Sequence, residues 1–128
     1  MIPETKYYVG LNQSLLVGAA TFQKLLKRYK SLKKVWEGAD LYGLGISPKT
    51  ISEIRRLRQT IDPDREMEKL KLLDISVVVL GDKEYPKLLS EIPDPPALLF
   101  FKGQLVPDEV AVAVVGSRKF SPYGASVT

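Results

Sequence analysis

Apolar residues recur at three- and four-residue steps through the first half of the chain, which predicts a series of amphipathic helices. The first stripe runs between Ser14 and Tyr29, and its opposite side is basic. Its apolar members are Leu15, Leu16, Ala19, Phe22, Leu25, Leu26 and Tyr29. A shorter helix is expected from Leu32 to Trp36, with the Trp36 ring and the later Tyr42 ring in the core.

Capping signals predict where the next helices begin. Ser47 can accept a hydrogen bond from the first turn, and Pro48 suits the first helical position. The stripe that follows this start consists of Ile51, Ile54, Leu57 and Ile61. Another helix is expected after Asp62-Pro63, with Met67 and Leu70 on its apolar side.

The pattern changes near Asp74 from helical steps to short apolar runs, the first of which is β-branched. Strands are predicted over residues 75–80 and 97–102, separated by one or two helical turns within 85–92 and an extended proline-rich connector. A third strand is predicted over Val110–Val115, where every residue is apolar. Such a strand is typical of the centre of a parallel sheet covered on both faces.

These elements predict a mixed α+β and α/β fold with a helical domain over residues 1–72 and the first strands of an incomplete Rossmann-like sheet over 73–128. One strand and a short helix cannot cover both faces of such a sheet. We therefore expect the chain to be part of a longer protein, or its sheet to be completed by something else.

Composition narrows the chemistry. The 128 residues include no cysteine and no histidine, which excludes disulfides, thiolate catalysis and the usual general base and metal ligand. No acidic cluster has the spacing of a metal loop, so we expect no metal. The dinucleotide fingerprint Gly-x-Gly-x-x-Gly and the P-loop pattern are both missing, so we also expect no cofactor. No apolar run is long enough to span a membrane and the start is no signal peptide, which favours the cytoplasm and no membrane partner.

Charge is distributed unevenly along the chain. Residues 1–61 carry eleven Lys/Arg against four Asp/Glu, whereas residues 62–128 carry eight against eleven. The basic half favours a polyanionic partner. The run Lys24, Lys27, Arg28, Lys30, Lys33 and Lys34 is interpreted either as a solvated helix face or as a weak polyanion patch.

Two glycine-containing segments are candidates for phosphate contact. Gly43-Leu44-Gly45-Ile46 resembles half of a helix-hairpin-helix, with Lys49, Arg55, Arg56 and Arg58 nearby; the alternative is a connector in which glycine supplies positive φ. Gly116-Ser117-Arg118 follows the third predicted strand and precedes a helix at Ser121-Pro122. Turn N–H groups and an arginine there can bind a phosphate, although a plain tight turn is the alternative.

Several separated motifs resemble the DNA-processing protein A family, DprA/Smf. They are Tyr85-Pro86, Ile92-Pro93-Asp94-Pro95-Pro96, Leu98 to Gly103, Val112 to Arg118, and Ser121-Pro122-Tyr123-Gly124. The helical segment around Gly43–Ser47 resembles more loosely the SAM-like domain of that family. The later family motifs are expected beyond Thr128.

The resemblance implies a non-catalytic, cytoplasmic protein that binds single-stranded DNA during natural transformation and recombination, protects the strand and helps to load the RecA recombinase. It also implies a homodimer formed through the region beyond Thr128. The DNA-binding residues that it implies are Gly116, Ser117, Arg118, Lys119, Phe120, Tyr123 and Gly124. In this assignment Arg118 pairs with a phosphate and Phe120 stacks on a base.

Two other functions stay open at this point. A Rossmann-like nucleotide-processing enzyme of the phosphoribohydrolase type also begins with a strand, a glycine turn and a helix. Alternatively, the helical domain serves as a module that contacts a partner protein.

Overall fold

The computed structural model describes residues 3–106 and 110–128, and within them a group of helices precedes a small sheet. The helices are α1 (Thr5–Leu11), α2 (Ala19–Tyr29), α3 (Leu32–Trp36), α4 (Pro48–Thr60), α5 (Pro63–Leu72), α6 (Lys87–Ser90) and α7 (Pro122–Val127). The strands are β1 (Ser76–Val79) and β2 (Leu98–Phe101).

The predicted starts of α4 and α5 are confirmed, and side-chain caps explain them. Ser47 Oγ accepts a hydrogen bond from the Thr50 N–H at 3.1 Å, and proline occupies the first turn of the helix. The Asp62 carboxylate accepts the Asp64 N–H at 3.0 Å in the same way. Each cap satisfies amide groups that have no partner within the helix, so the boundary follows directly from the sequence.

Helix α1 was not predicted, and its residues show why. It contains two tyrosines, a valine and a glycine, all weaker helix formers, and the residue before it provides no side-chain cap. Packing compensates, because α1 contacts α3, α4, α5 and β1. Gly10 permits the closest approach, since a Cβ atom there would lie 2.9 Å from the Trp36 ring.

The prediction that α2 begins at Ser14 is wrong. The helix begins at Ala19, after an extended Gly18, and Leu15 is fully exposed. Val17 instead enters the core from the segment that leads into the helix. The apolar period at residues 15–16 coincided with the helical one by chance, whereas Phe22 and Leu25 occupy the buried face as predicted.

The strands β1 and β2 pair antiparallel, with Val77 opposite Phe100 and Val79 opposite Leu98. The side chain of Tyr85, from the connection between them, donates a hydrogen bond to the Pro96 carbonyl at 2.8 Å. Val77, Val79, Ala97 and Leu98 belong to the same buried cluster as Leu25, Ile54 and Leu57 of the helices. The helices and the sheet therefore share one hydrophobic core within the described ranges.

The third predicted strand is not formed. Residues 110–115 have no strand structure, and Val112 and Val115 are 87 % and 89 % exposed. A strand needs a neighbouring edge to receive its hydrogen bonds and apolar partners for its two faces. Among the residues with described positions, β1 and β2 pair only with each other, so this apolar segment is uncovered.

The fold is mixed α and β. The division into residues 1–72 and 73–128 stays a prediction, and its boundary coincides with the end of α5. None of the helices that the structure describes is long and apolar enough to cross a membrane.

Candidate nucleic-acid interface

The loop from Gly116 to Ser121 joins the exposed apolar segment to α7, and its serines give it local order. Ser121 Oγ accepts the Gly124 N–H at 3.1 Å and caps α7, while Ser117 Oγ accepts the Lys119 N–H at 3.2 Å. The helix buries none of its residues. The loop is thus exposed to solvent, and the hydroxyls of Ser117 and Ser121 hold its backbone in place.

An open cleft of about 870 Å³ lies beside the loop. Of the seven predicted DNA-binding residues, Gly116, Ser117, Lys119, Phe120 and Gly124 line this cleft. The Phe120 ring is 72 % exposed, which leaves its face free for contact with a planar group. The cleft can accommodate a ligand that offers both an apolar surface and negative charge.

Arg118 and Tyr123 are not among the residues that line the cleft. The Arg118 guanidinium has no ion pair or hydrogen bond to any described residue, and the Tyr123 ring is 77 % exposed. The loop and the first turn of α7 therefore expose two cationic side chains and two aromatic rings, but only Lys119 and Phe120 of these line the cleft itself.

Gly116 does not require its glycine for the conformation seen here. Its backbone lies outside the left-handed region, and an added Cβ atom would meet nothing within 4 Å. The space in front of this residue is therefore open, which is compatible with close approach of a phosphate to the backbone.

The second candidate, Gly43–Ile46, forms the connection between α3 and α4. Gly43 and Gly45 have φ angles of +74° and +67°, so the positive-φ function of these glycines is confirmed. The expectation that Tyr42 lies in the core is wrong. Its ring is 62 % exposed because the loop turns it outward, with the Arg55 guanidinium 5.3 Å from its centre.

The basic residues near this loop have different surroundings. Arg56 forms an ion pair with Glu53 at 2.8 Å, and Arg58 donates a hydrogen bond to the Ala39 carbonyl at 3.2 Å. Lys49 and Arg55 are exposed. Lys24 of α2 also reaches this loop, where it donates to the Gly45 carbonyl. The sequence gives no signal for the contact between Lys24 and Gly45, because these residues belong to separate elements.

Among the described residues, no group of three or more acidic side chains has the geometry of a metal site. The candidate sites are thus built from backbone amides, hydroxyls, aromatic rings and cations, which are groups suited to an anionic ligand.

Comparisons with known proteins relate the chain to one family. Residues 76–128 match the family model described as DNA recombination-mediator protein A. The protein Smf of Synechocystis is 27 % identical over 135 aligned positions, which cover 98 % of this chain and 33 % of that protein. The protein Smf of Borreliella burgdorferi is 51 % identical over 47 positions, covering 35 % of this chain and 15 % of that protein.

The chain thus spans about a third of the length of the Synechocystis relative. No solved structure matches it.

Proposed function

We propose, from the match of residues 76–128 to the DNA recombination-mediator protein A family model, that the chain is a member of this family, DprA/Smf, and that it contributes to binding of single-stranded DNA during DNA uptake, natural transformation and recombination. The observation that carries the proposal is the family match over residues 76–128, which includes the exposed loop from Gly116 to Ser121 and the first turn of α7. The description of the family as a recombination mediator supports a binding role, without catalysis, in that process.

In the proposed complex the loop contacts the DNA backbone and its bases. Arg118 and Lys119 pair with phosphates, because neither side chain has a carboxylate partner among the described residues. Ser117 and the open backbone at Gly116 allow close approach of a phosphate, Gly124 lies beside them in the cleft, and Phe120 and Tyr123 offer faces for stacking. The exposure of both rings supports this assignment.

The finer architecture belongs to the same proposal. Residues 1–72 form a SAM-like helical domain, and residues 73–128 provide the first strands of a Rossmann-like domain in which residues 110–115 pair with further strands. The exposed apolar side chains of that segment support this, because a buried parallel strand has this composition.

Partners and location follow from the proposed role. A recombination mediator acts on a recombinase, which supports RecA as the protein partner. We place the protein in the cytoplasm, where RecA and incoming strands meet, and propose a homodimer as its assembly.

Arg118→Ala tests the proposed site. The 128-residue chain is titrated with a fluorescein-labelled thymidine oligonucleotide at several salt concentrations, and anisotropy reports binding. Loss of one charge-assisted phosphate contact should lower the affinity by roughly tenfold. It should also make the slope of log affinity against log salt shallower by about 0.7.

Arg65→Ala is the matched control, because Arg65 is an exposed arginine on α5 that does not line the cleft beside the loop. It should leave the affinity within about twofold of that of the unmodified chain. Equal effects of the two substitutions would show that Arg118 contributes only to the overall charge, and no effect of either would remove Arg118 from the site.

A further inference from the structure

A group of basic and aromatic side chains surrounds the loop between α3 and α4, far along the chain from the Gly116 loop. We call it the α2–α4 basic surface and define it by Lys24, Arg28, Tyr29, Tyr42, Arg55 and Arg58. Contacts with the loop connect its members. Lys24 donates to the Gly45 carbonyl, Tyr29 donates to the Asp40 carbonyl, and Arg58 donates to the Ala39 carbonyl.

The other two cations of the surface, Arg28 and Arg55, each lie over a tyrosine ring beside this loop. The Arg28 guanidinium lies 5.2 Å from the centre of the Tyr29 ring, and that of Arg55 lies 5.3 Å from the centre of the Tyr42 ring. Helix α2 thus supplies cations on one side of the loop and α4 supplies them on the other. The surface is assembled by the fold from residues up to 34 positions apart in sequence (Lys24 and Arg58).

None of the four cations of this surface forms an ion pair with a carboxylate of the described residues. Residues 1–61 contain four carboxylates, Glu4, Glu37, Asp40 and Glu53. Glu4 accepts the Leu32 N–H, Glu37 pairs with Lys33, and Glu53 pairs with Arg56. The Asp40 carboxylate, within the loop, accepts the Tyr42 N–H at 3.0 Å.

Arg55 and Arg58 are three residues apart on α4, which makes them neighbours on the surface of that helix. Burial, and secondarily the charge of Arg55, lower the pKa of Arg58. Its buried Nε has no hydrogen-bond partner within the described residues. Like charges held together without a carboxylate between them cost free energy, and a bound anion removes that cost.

Tyr42 indicates which kind of anion fits. Its ring is 62 % exposed and lies at the edge of the cation group. A flat aromatic face beside unpaired guanidinium groups is the combination that binds single-stranded nucleic acid, through stacking on a base and pairing with the adjoining phosphates. An acidic peptide offers carboxylates but no base to stack.

We propose that the α2–α4 basic surface is a second contact site for single-stranded DNA, separate from the loop at Gly116–Gly124. Arg55, Arg28 and Lys24 pair with successive phosphates, and Tyr42 stacks on an unpaired base. The identity of the ligand rests on the proposed function, whereas the presence of an anion site rests on the charges alone.

Two neighbouring arginines of α4 provide the test. Arg55→Gln removes a cation of the surface, and Arg56→Gln removes an equal charge from the pair with Glu53. With the 128-residue chain and a labelled thymidine oligonucleotide, Arg55→Gln should weaken binding by roughly three- to tenfold and make the salt slope shallower by about 0.7. Arg56→Gln should change the affinity by less than about twofold. Equal effects of the two would overturn the proposal.

The Tyr42 ring is tested separately from charge. Tyr42→Leu should weaken binding to the oligonucleotide by about fivefold or more, whereas Tyr42→Phe should retain it, because stacking needs the ring and not the hydroxyl. A matched DNA duplex should bind more weakly and be insensitive to Tyr42→Leu. Equal loss with single strand and duplex would overturn the stacking assignment.

Competition distinguishes nucleic acid from an acidic protein partner. Poly-glutamate that displaces the oligonucleotide from this surface at equal charge concentration would overturn the assignment to DNA. Arg118→Ala separates the two proposals. If only Arg55→Gln weakens binding, the proposed DNA contact at the Gly116 loop is wrong. If only Arg118→Ala weakens binding, the proposed contact at the α2–α4 basic surface is wrong.

Discussion

At the scale of single residues, Glu53 and Arg56 form an ion pair on the surface of α4. Glu53 accepts two hydrogen bonds from Arg56, from Nε at 2.9 Å and from a terminal nitrogen at 2.8 Å. Arg56 and, secondarily, a hydrogen bond from Ser14 lower the pKa of the Glu53 carboxyl from 4.5 to about 2. The same pair withdraws Arg56 from any ligand, which is why its neighbour Arg55 is the better candidate for contact.

The lowered pKa of Glu53 predicts a pH dependence of stability. Because the folded state binds this proton less tightly than the unfolded chain, the stabilisation is complete above pH 4.5 and is lost as the pH falls towards about 2. Glu53→Gln should therefore reduce the fall in melting temperature between those pH values. Circular dichroism melts at several pH values measure it.

Glu68→Gln is the control for that prediction, because Glu68 is an exposed glutamate on α5 without an ion pair among the described residues. It should leave the acid profile close to that of the unmodified chain. A profile for Glu53→Gln that coincides with the unmodified one would contradict the role of the Arg56 pair.

Among the elements, helix starts differ in how much they matter to the whole fold. Ser47 and Ser121 cap α4 and α7 with similar geometry, at 3.1 Å in both cases. Helix α4 buries Ile51, Ile54 and Leu57, whereas α7 buries nothing. The cap of α4 therefore supports a helix that packs in the core, whereas the cap of α7 supports a helix that does not.

Ser47→Ala should lower the free energy of unfolding by about 1 kcal/mol, since the Thr50 amide loses its partner at the start of a core helix. Ser121→Ala should leave global unfolding unchanged, because α7 contributes nothing to the core. Urea titration followed by circular dichroism compares the two. A similar loss in both would show that α7 packs on the core in solution.

The elements that the sequence predicted well are those marked by local chemistry. Proline and a capping side chain specify the starts of α4 and α5, a β-branched run specifies β1, and a run of leucine and phenylalanine specifies β2. Helix α1 lacks such signals and exists through its packing on other elements. Periodicity alone misplaced the start of α2, because an apolar step at Leu15 fits the helical period without belonging to the helix.

The site residues were predictable only as residue types. Gly116, Ser117 and Arg118 were identifiable from the motif, and their exposure agrees with a binding loop. The α2–α4 basic surface was not identifiable from the sequence, because its residues come together only when α2, α4 and the intervening loop pack. Tyr42 shows the same limit, since an aromatic ring in an apolar sequence neighbourhood predicts burial, and the loop geometry decides otherwise.

At the scale of the whole molecule, the helices and the sheet share a core, while residues 110–128 lie outside it. Val77 and Val79 of β1 and Leu98 of β2 are buried in the same cluster as Leu25 and Leu57. Elements that share buried contacts lose them together, so they should unfold as one cooperative unit.

Native-state hydrogen exchange of the 128-residue chain tests this arrangement. Amides within α2, α4 and β1 should exchange with the same opening free energy, equal to that of global unfolding. Amides of residues 111–116, which are exposed and not in a strand, should exchange near the rate of an unstructured peptide. Protection that is distinctly lower in β1 than in α4 would contradict a shared core and favour an independent second domain beginning near residue 73. Strong protection at 111–116 would show instead that the apolar segment finds a strand partner in solution.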